Sequence, residues 1–251
     1  MKWAFQIERT TLDPRNLYDL LGSIGYQLAD VPGHELVFWS KNLDACTNAS
    51  EVWEEAKRLR ELVSEVTEID PEMVLGPVLD LSSSEPKPYQ FLEVQSGIIV
   101  TASCSATVTV SPPAGLSAEQ LIEWNNRRSE HEYQARLEAQ LAKLEPAFRE
   151  PRAVKLLKLL KRSAHTGESL YKIYELAEGH PSRRKDFHEQ FGIAEAEFRR
   201  FTDAVHNPVV SGELARHAYE DEPKTSNPMS FAEAQSFVFG IAKRWLASLR
   251  D

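Results

Sequence analysis

The sequence predicts an α+β protein in which a mixed, mainly antiparallel α/β region precedes an all-helical bundle. Two observations lead to this prediction. The spacing of apolar residues changes from a period of two to that of a helix after the segment SPPAG at 111–115. The two prolines and the glycine of that segment end the preceding strand and mark a boundary. We therefore expect an α+β domain over residues 1–115 and a helical domain over residues 116–251.

The front region alternates predicted strands and helices. The segment KWAFQIE is a predicted strand, and Asp13 then caps a helix that has Pro14 in its first turn and continues to about Ile24. The segments YQLAD and ELVFWS flank a Pro-Gly pair, which is typical of two strands joined by a turn. Asn48 or Ser50 caps the long charged helix SEVWEEAKRLRELVSEV. The segment IIVTASCSATVTV alternates apolar and polar residues throughout, which indicates a half-buried antiparallel strand.

The rear region has the pattern of successive amphipathic helices. Ser117 caps the first, and Gln120 completes a capping box. The helical segments PRAVKLLKLLKR, ESLYKIYELAEG, RRKDFHEQFG and IAEAEFRRFTDAVHN follow. Ser230 and Glu233 form a second capping box, which begins the last helix. The predicted core face of that helix consists of apolar residues at helical spacing: Phe231, Ala234, Val238, Ile241, Trp245 and Leu249.

The formal net charge of −9 is unevenly distributed along the chain. Residues 1–115 hold 8 basic and 17 acidic residues, whereas residues 116–251 hold 21 of each. An acidic front half would repel a phosphate backbone, so any contact with nucleic acid must come from local basic faces of the rear half. The chain as a whole is therefore not expected to be a general nucleic-acid binder.

Cysteine usage and the apolar segments predict a cytoplasmic protein without a membrane span. The first residues, MKWAFQIERTTLDP, lack the apolar run of a signal peptide, and GIIVTASCSATVTV holds too many Ser and Thr residues to span a bilayer. Cys46 and Cys104 lie far apart, which argues against a disulfide framework and a structural zinc site. The sequence contains no Walker loop, GxGxxG, G-x-S-x-G or H-E-x-x-H motif, so we expect no metal and no cofactor.

The first candidate site is the helix predicted over residues 193–206. On it, Arg199, Asp203 and His206 share one polar face, while Arg200 points elsewhere. An imidazole can transfer a proton near neutral pH, and a guanidinium can stabilise the charge of a reacting phosphodiester. Arg199, Arg200 and His206 are therefore candidate catalytic residues. The sequence favours the alternative, in which Arg199 and Asp203 form an i,i+4 ion pair and His206 is a polar helix end.

Two further groups of side chains are candidate binding residues. His217 and Tyr219 could line a pocket after Gly212; alternatively, Arg216 ties this loop to a carboxylate and His217 is satisfied in the core. A basic face that could meet RNA, DNA or an acidic partner is formed by Lys155, Lys158 and Arg162. That face lacks the aromatic residues of a single-strand platform, so the sequence favours an ordinary solvated surface.

Several segments of the rear region resemble a large group of uncharacterised bacterial proteins in which a variable mixed front region precedes a helical tail. These segments are LYKIYELAEG at 170–179, FRRFTDAVHNPVVSG at 198–212, ARHA at 215–218 and the terminal NPMSFAEAQSFV. The resemblance covers the rear third of the chain well and the rest loosely. It implies the architecture and no particular activity.

The same region is also similar to HEPN domains, which are helical bundles that act in many prokaryotic toxins and defence proteins as metal-independent ribonucleases. Their motif is an arginine followed several residues later by a histidine near a helix end, in a site usually shared by a homodimer. Arg200 and His206 match its spacing, and Arg199 matches its facing direction better. Phe201 follows Arg200, where the motif usually has a polar residue.

The function expected from these observations is that of a cytoplasmic bacterial interaction or regulatory protein with no chemistry of its own. Its partner would be another protein or a second copy of the chain. The alternative is a metal-independent ribonuclease of HEPN type, for which RNA is the substrate. A further alternative is a sensor that binds a small ligand between the two domains.

Overall fold

The computed structural model describes residues 1–67, 70–93, 112–113, 115–217 and 225–250, and it confirms the α+β class. The chain divides into two compact units, Met1–Leu144 and Glu145–Asp251. This division lies later in the chain than the domain boundary that the sequence predicts at residues 115/116. The segment IIVTASCSATVTV, predicted as a strand, lies outside the described residues.

The first unit contains an antiparallel sheet with β1 in its middle. Within the described residues the strand order is β2-β3-β1-β4-β5, and each neighbouring pair is antiparallel. The strands are β1 Trp3–Thr10, β2 Gln27–Val31, β3 His34–Trp39, β4 Met73–Asp80 and β5 Lys87–Tyr89. Trp3, Ala4, Phe5 and Ile7 of β1 are buried, as expected of the first part of a central strand.

Of the first three helices of this unit, the first and third begin at caps that the sequence predicts, whereas the short second helix, capped by Ser40, is not predicted. The three helices are α1 Pro14–Ser23, α2 Lys41–Asp44 and α3 Ala49–Val66. Asp13 caps α1, and of the two candidate caps for α3 it is the Asn48 side chain that accepts the backbone N–H of Glu51. The apolar stripe of α3 is buried, and the helix lies against β1 and β4.

Helix α4, Ala118–Arg149, explains why the two units divide after residue 144. Its predicted capping box, Ser117 with Gln120, is confirmed. Further along, side chains of α4 are bonded to α1: Asn16 donates to Gln140 at 2.8 Å inside the protein, and Arg15 pairs with Glu130 at 2.7 Å. Most of α4 thus belongs to the first unit, a tertiary pairing that local sequence patterns do not reveal.

The second unit is helical and is built around α6. Its helices are α5 Pro151–Leu160, α6 Gly167–Glu178, α7 Arg184–Phe191, α8 Glu195–His206, α9 Pro208–Ser211 and α10 Phe231–Ser248, with 3-10 turns at Pro181–Arg183 and Gly212–Leu214. Helix α6 contacts α5, α8 and α10, and its Leu170, Ile173 and Tyr174 are fully buried. The predicted capping box of α10, Ser230 with Glu233, is confirmed. Among the described helices, none is both long and apolar enough to cross a bilayer.

Replacing Trp245 by alanine should lower the free energy of unfolding by about 3–5 kcal/mol, because removal of a large buried side chain leaves a cavity. Trp245 is 5% exposed, and the Arg152 guanidinium lies 5.3 Å from its ring centre. Urea denaturation measures the change. Lys243→Ala, at an exposed position of the same helix, is the control and should stay within about 0.5 kcal/mol of the wild type. A loss of similar size in both variants would contradict the assigned core.

Candidate functional site

The candidate site forms where the end of α8 meets the beginning of α6, at Gly167. A Cβ atom built on Gly167 would lie 2.0 Å from the carbonyl oxygen of Val205, so only glycine permits this approach of the two backbones. The chain returns along the same edge after the 3-10 turn at Gly212–Leu214. There the N–H of Arg216 donates to the Val205 carbonyl at 2.8 Å, and the N–H of His217 donates to the His206 carbonyl at 3.2 Å.

These backbone contacts bring together four side chains, which we call the His206 cluster: Tyr171, His206, Arg216 and His217. The Arg216 guanidinium carbon lies over the Tyr171 ring, 4.7 Å from its centre. The His206 ring centre is 4.5 Å from that of Tyr171 and 5.0 Å from that of His217. Nη1 of Arg216 is 3.4 Å from Nε2 of His206. Because a guanidinium can only donate, this contact fits a neutral His206 with its lone pair on Nε2.

The His206 cluster is accessible, and its one permanently charged member is the positive Arg216. Arg216 and His217 are exposed, and Tyr171 and His206 are half-buried. Nearby, Lys172 pairs with Glu168 at 2.6 Å; this bond, together with the charges of Lys172 and Arg216, lowers the pKa of the Glu168 carboxyl. The cluster lies where the N-terminal end of α6 meets the C-terminal end of α8, so the two helix dipoles act on it in opposite directions.

The two arginines predicted as catalytic partners of His206 have other contacts. Arg199 pairs with Glu195 at 3.0 Å, one turn earlier on α8. The predicted ion pair of Arg199 with Asp203 is wrong, because Asp203 is buried and accepts the backbone N–H of Thr225 at 2.7 Å. Arg200 donates from Nε to the Asn227 carbonyl at 2.7 Å and thereby fixes the segment before α10.

Of the second predicted group, Arg216 and His217 join the His206 cluster. The alternative in which His217 is satisfied in the core is wrong, because that residue is exposed. The Arg216 guanidinium, which the same alternative assigns to a carboxylate, is stacked on Tyr171. Tyr219 lies outside the described residues.

The predicted basic face lies on α5 and just after it. Lys155, Lys158 and Arg162 are all exposed, while Leu156 and Leu157 on the opposite side of the helix are buried. The amphipathic pattern is therefore as the sequence predicts. What this face binds stays a prediction.

The structure contains a second polar group that sequence reasoning missed, formed by Tyr174, Glu178, Arg184 and His188. The Glu178 carboxylate accepts Nε of Arg184 at 2.5 Å and the Tyr174 hydroxyl at 3.0 Å. The Tyr174 hydroxyl oxygen also lies 2.8 Å from Nε2 of His188. One signal was available: Tyr174 and Glu178 are four residues apart, on the buried side of α6.

We find no protein-family model that matches this chain, and no match among curated proteins or solved structures. The residues themselves must therefore carry the functional argument. Within the part of the chain that the structure describes, no three His, Cys, Asp or Glu side chains are grouped so that they could hold a metal ion.

Gly167→Ala tests whether the close approach of the two backbones positions the His206 cluster. Alanine is normally favoured over glycine in a helix by about 0.5–1 kcal/mol. At residue 167 the added methyl would meet the Val205 carbonyl, so overpacking should cost about 1–3 kcal/mol, and we expect this cost to exceed the gain. Urea denaturation measures the net loss, and histidine NMR spectra should show displaced His206 and His217 resonances.

Gly22→Ala is the matched control, because a Cβ on this α1 glycine would meet nothing within 4 Å. This variant should be at least as stable as the wild type and should leave both histidine resonances in place. Equal effects of the two substitutions would show that residue 167 is under no special constraint.

Proposed function

We propose that this chain is a regulatory binding protein whose His206 cluster recognises a phosphate-bearing ligand. The observation that carries the proposal is the Arg216 guanidinium, held over the Tyr171 ring beside the imidazoles of His206 and His217. We also propose, as the sequence analysis expects, that this chain is a cytoplasmic bacterial interaction protein.

The chemistry of the four side chains supports an anionic ligand. A guanidinium offers paired donors that match the oxygens of a phosphate, and stacking on an aromatic ring limits its motion before binding. Each neutral imidazole offers one N–H donor and, when protonated, two. Because Arg216 and His217 are exposed, a ligand can reach them without opening the core.

Binding, rather than catalysis, is our first choice because the contacts of Arg199 and Arg200 are structural. Arg199 pairs with Glu195, and Arg200 binds the carbonyl of Asn227. Arg199 and Arg200, which the sequence analysis pairs with His206 for catalysis, thus bind other groups. A regulatory role requires only that ligand occupancy changes the surface around Arg216.

A thermal-shift series with orthophosphate and with nucleoside mono-, di- and triphosphates tests the proposal. At a hundredfold excess over Kd, a ligand should stabilise the wild type by about 2.7 kcal/mol, which raises Tm by several degrees. Arg216→Gln should weaken binding about 10- to 100-fold, because it removes a charged hydrogen-bond donor.

Arg199→Gln is the control, since it removes an exposed arginine that lies on a neighbouring surface and pairs with Glu195. It should leave the ligand response unchanged. A flat response of the wild type to every phosphate compound, or an equal loss in the two variants, would refute the proposal.

The second candidate function is metal-independent cleavage of RNA at the same cluster, and one observation favours it: two imidazoles lie 5.0 Å apart beside a guanidinium. Arg216 would turn from Nε2 of His206 to the phosphate, and the freed Nε2 of the neutral imidazole would take the proton of a ribose 2′-hydroxyl, whose oxygen attacks phosphorus. A protonated His217 would give its proton to the departing 5′-oxygen. The products are a 2′,3′-cyclic phosphate and a 5′-hydroxyl, and Arg216 would stabilise the charged phosphorane.

Incubation of the purified protein with total RNA in EDTA decides between the two functions. Cleavage by a nuclease of this kind should fall about 100-fold or more in His206→Ala, because general acid–base catalysis contributes about 10²–10⁴-fold. Arg199→Ala should cleave like the wild type. Intact RNA in all samples, together with a phosphate-dependent thermal shift, would leave binding as the function.

A further inference from the structure

Helix α7 is bounded by two glycines whose backbones have a conformation that other residues rarely adopt. Gly179, just after α6, has a φ of +81°, and Gly192, just after α7, has a φ of +63°. Such positions allow the chain to change direction without a side-chain penalty. These two glycines bound the segment that contains α7, and the contacts of this segment to the neighbouring helices hold it in place.

Two polar contacts tie α7 to α6. Arg184, the first residue of α7, binds both carboxylate oxygens of Glu178, at 2.5 and 3.2 Å, and the Glu178 side chain is only 1% exposed. One turn later, His188 binds the Tyr174 hydroxyl. Apolar packing adds to these contacts, because the Phe187 ring lies edge-on to that of Tyr174 at 5.9 Å.

Hydrogen-bond donors and acceptors in this group fix the tautomer of His188. The Tyr174 hydroxyl has one proton, which it donates to the Glu178 carboxylate at 3.0 Å. Its oxygen must therefore accept a hydrogen bond from the N–H at Nε2 of His188, at 2.8 Å. The neutral imidazole then has its lone pair on Nδ1, which lies 3.9 Å from the nearer carboxylate oxygen of Glu195 on α8.

The charged and titratable groups around His188 come from all three helices. They are Tyr174 and Glu178 from α6, Arg184 from α7 itself and Glu195 from α8. The two carboxylates favour a protonated imidazole, and the guanidinium opposes it. Burial opposes protonation most strongly, and the pKa of His188 lies below its usual value as a result.

We propose that His188 is a proton-operated latch that holds α7 against α6 and α8 when neutral and releases it when protonated. Because the packed state disfavours the charged imidazole, a proton binds more readily once α7 has moved and His188 is hydrated. The stabilisation by neutral His188 is therefore complete above the unfolded-state pKa of about 6.5 and declines as the pH falls below it.

Release of α7 would uncover a defined aromatic surface. The Phe198 ring of α8 lies 4.9 Å from that of Tyr174, and the His188 and Arg184 side chains now cover it, at 5.0 Å each. A cleft of about 740 Å³ already lies beside His188 and Glu195. Acidification would extend this cleft toward the two rings, so the latch controls access to an apolar surface.

Hydrogen exchange measured by mass spectrometry on the full chain, at pH 7.5 and pH 5.5, tests the latch. Labelling times are scaled to the intrinsic exchange rate at each pH. Peptides that cover Arg184–Phe191 should lose protection at pH 5.5 by up to about tenfold, because this pH lies about one unit below the unfolded-state pKa of a histidine, whereas peptides from α10 should change little. His188→Gln should remove this difference, because a Gln amide can donate to Tyr174 but does not titrate.

His165→Gln is the matched control, since burial also lowers the pKa of that histidine, which lies just before α6. This variant should keep the pH-dependent loss of protection in α7. If His188→Gln exposes α7 at both pH values, a second measurement on the wild type still tests the latch. The pH dependence of the exchange of its histidine C2 protons gives the titration midpoint of His188. The titration midpoint of His188 must then coincide with that of α7 opening. Midpoints that differ, or an undiminished pH effect in His188→Gln, would overturn the latch.

Discussion

The burial of α6 between α5, α8 and α10 is the constraint on which the second unit depends. Groups from neighbouring segments pack closely against both ends of the helix. At Gly167 the missing side chain makes room for the Val205 carbonyl, and at Gly179 it makes room for the guanidinium of Arg152, which also contacts the Leu176 carbonyl. A helix enclosed in this way can place polar side chains precisely, because its own position cannot shift without disturbing three others.

The two polar groups of the second unit both use tyrosines of α6. Tyr171 supports Arg216 and His206 near the surface, while Tyr174 binds Glu178 and His188 in the interior. The ring centres of the two tyrosines are 6.1 Å apart; Tyr171 is half-buried, whereas Tyr174 is fully buried. One helix therefore contributes an aromatic ring to an accessible cluster and a hydroxyl to a buried network.

Sequence patterns predict the local features of this protein well, because those features depend on neighbouring residues. The capping boxes at Ser117 and Ser230 and the buried face of α8 follow from short-range spacing alone. The strand order of the sheet and the docking of α4 onto α1 depend on contacts between residues far apart in the chain, such as Trp3 with Asp80 and Asn16 with Gln140, and no local pattern encodes them.

The choice of partner for each charged residue was the least predictable part of the candidate site. Arg199 could pair with a carboxylate one turn before it or one turn after it, and only the burial of Asp203 shows that Glu195 is its partner. Arg216 and His206 come together through the Val205 carbonyl, which accepts the Arg216 N–H beside Gly167. Since that approach joins backbone to backbone, it does not depend on any ligand. Descendants of this protein that lost Arg216 and His217, and with them the binding activity that we propose, should retain the glycine, which makes residue 167 a marker of common ancestry rather than of shared function.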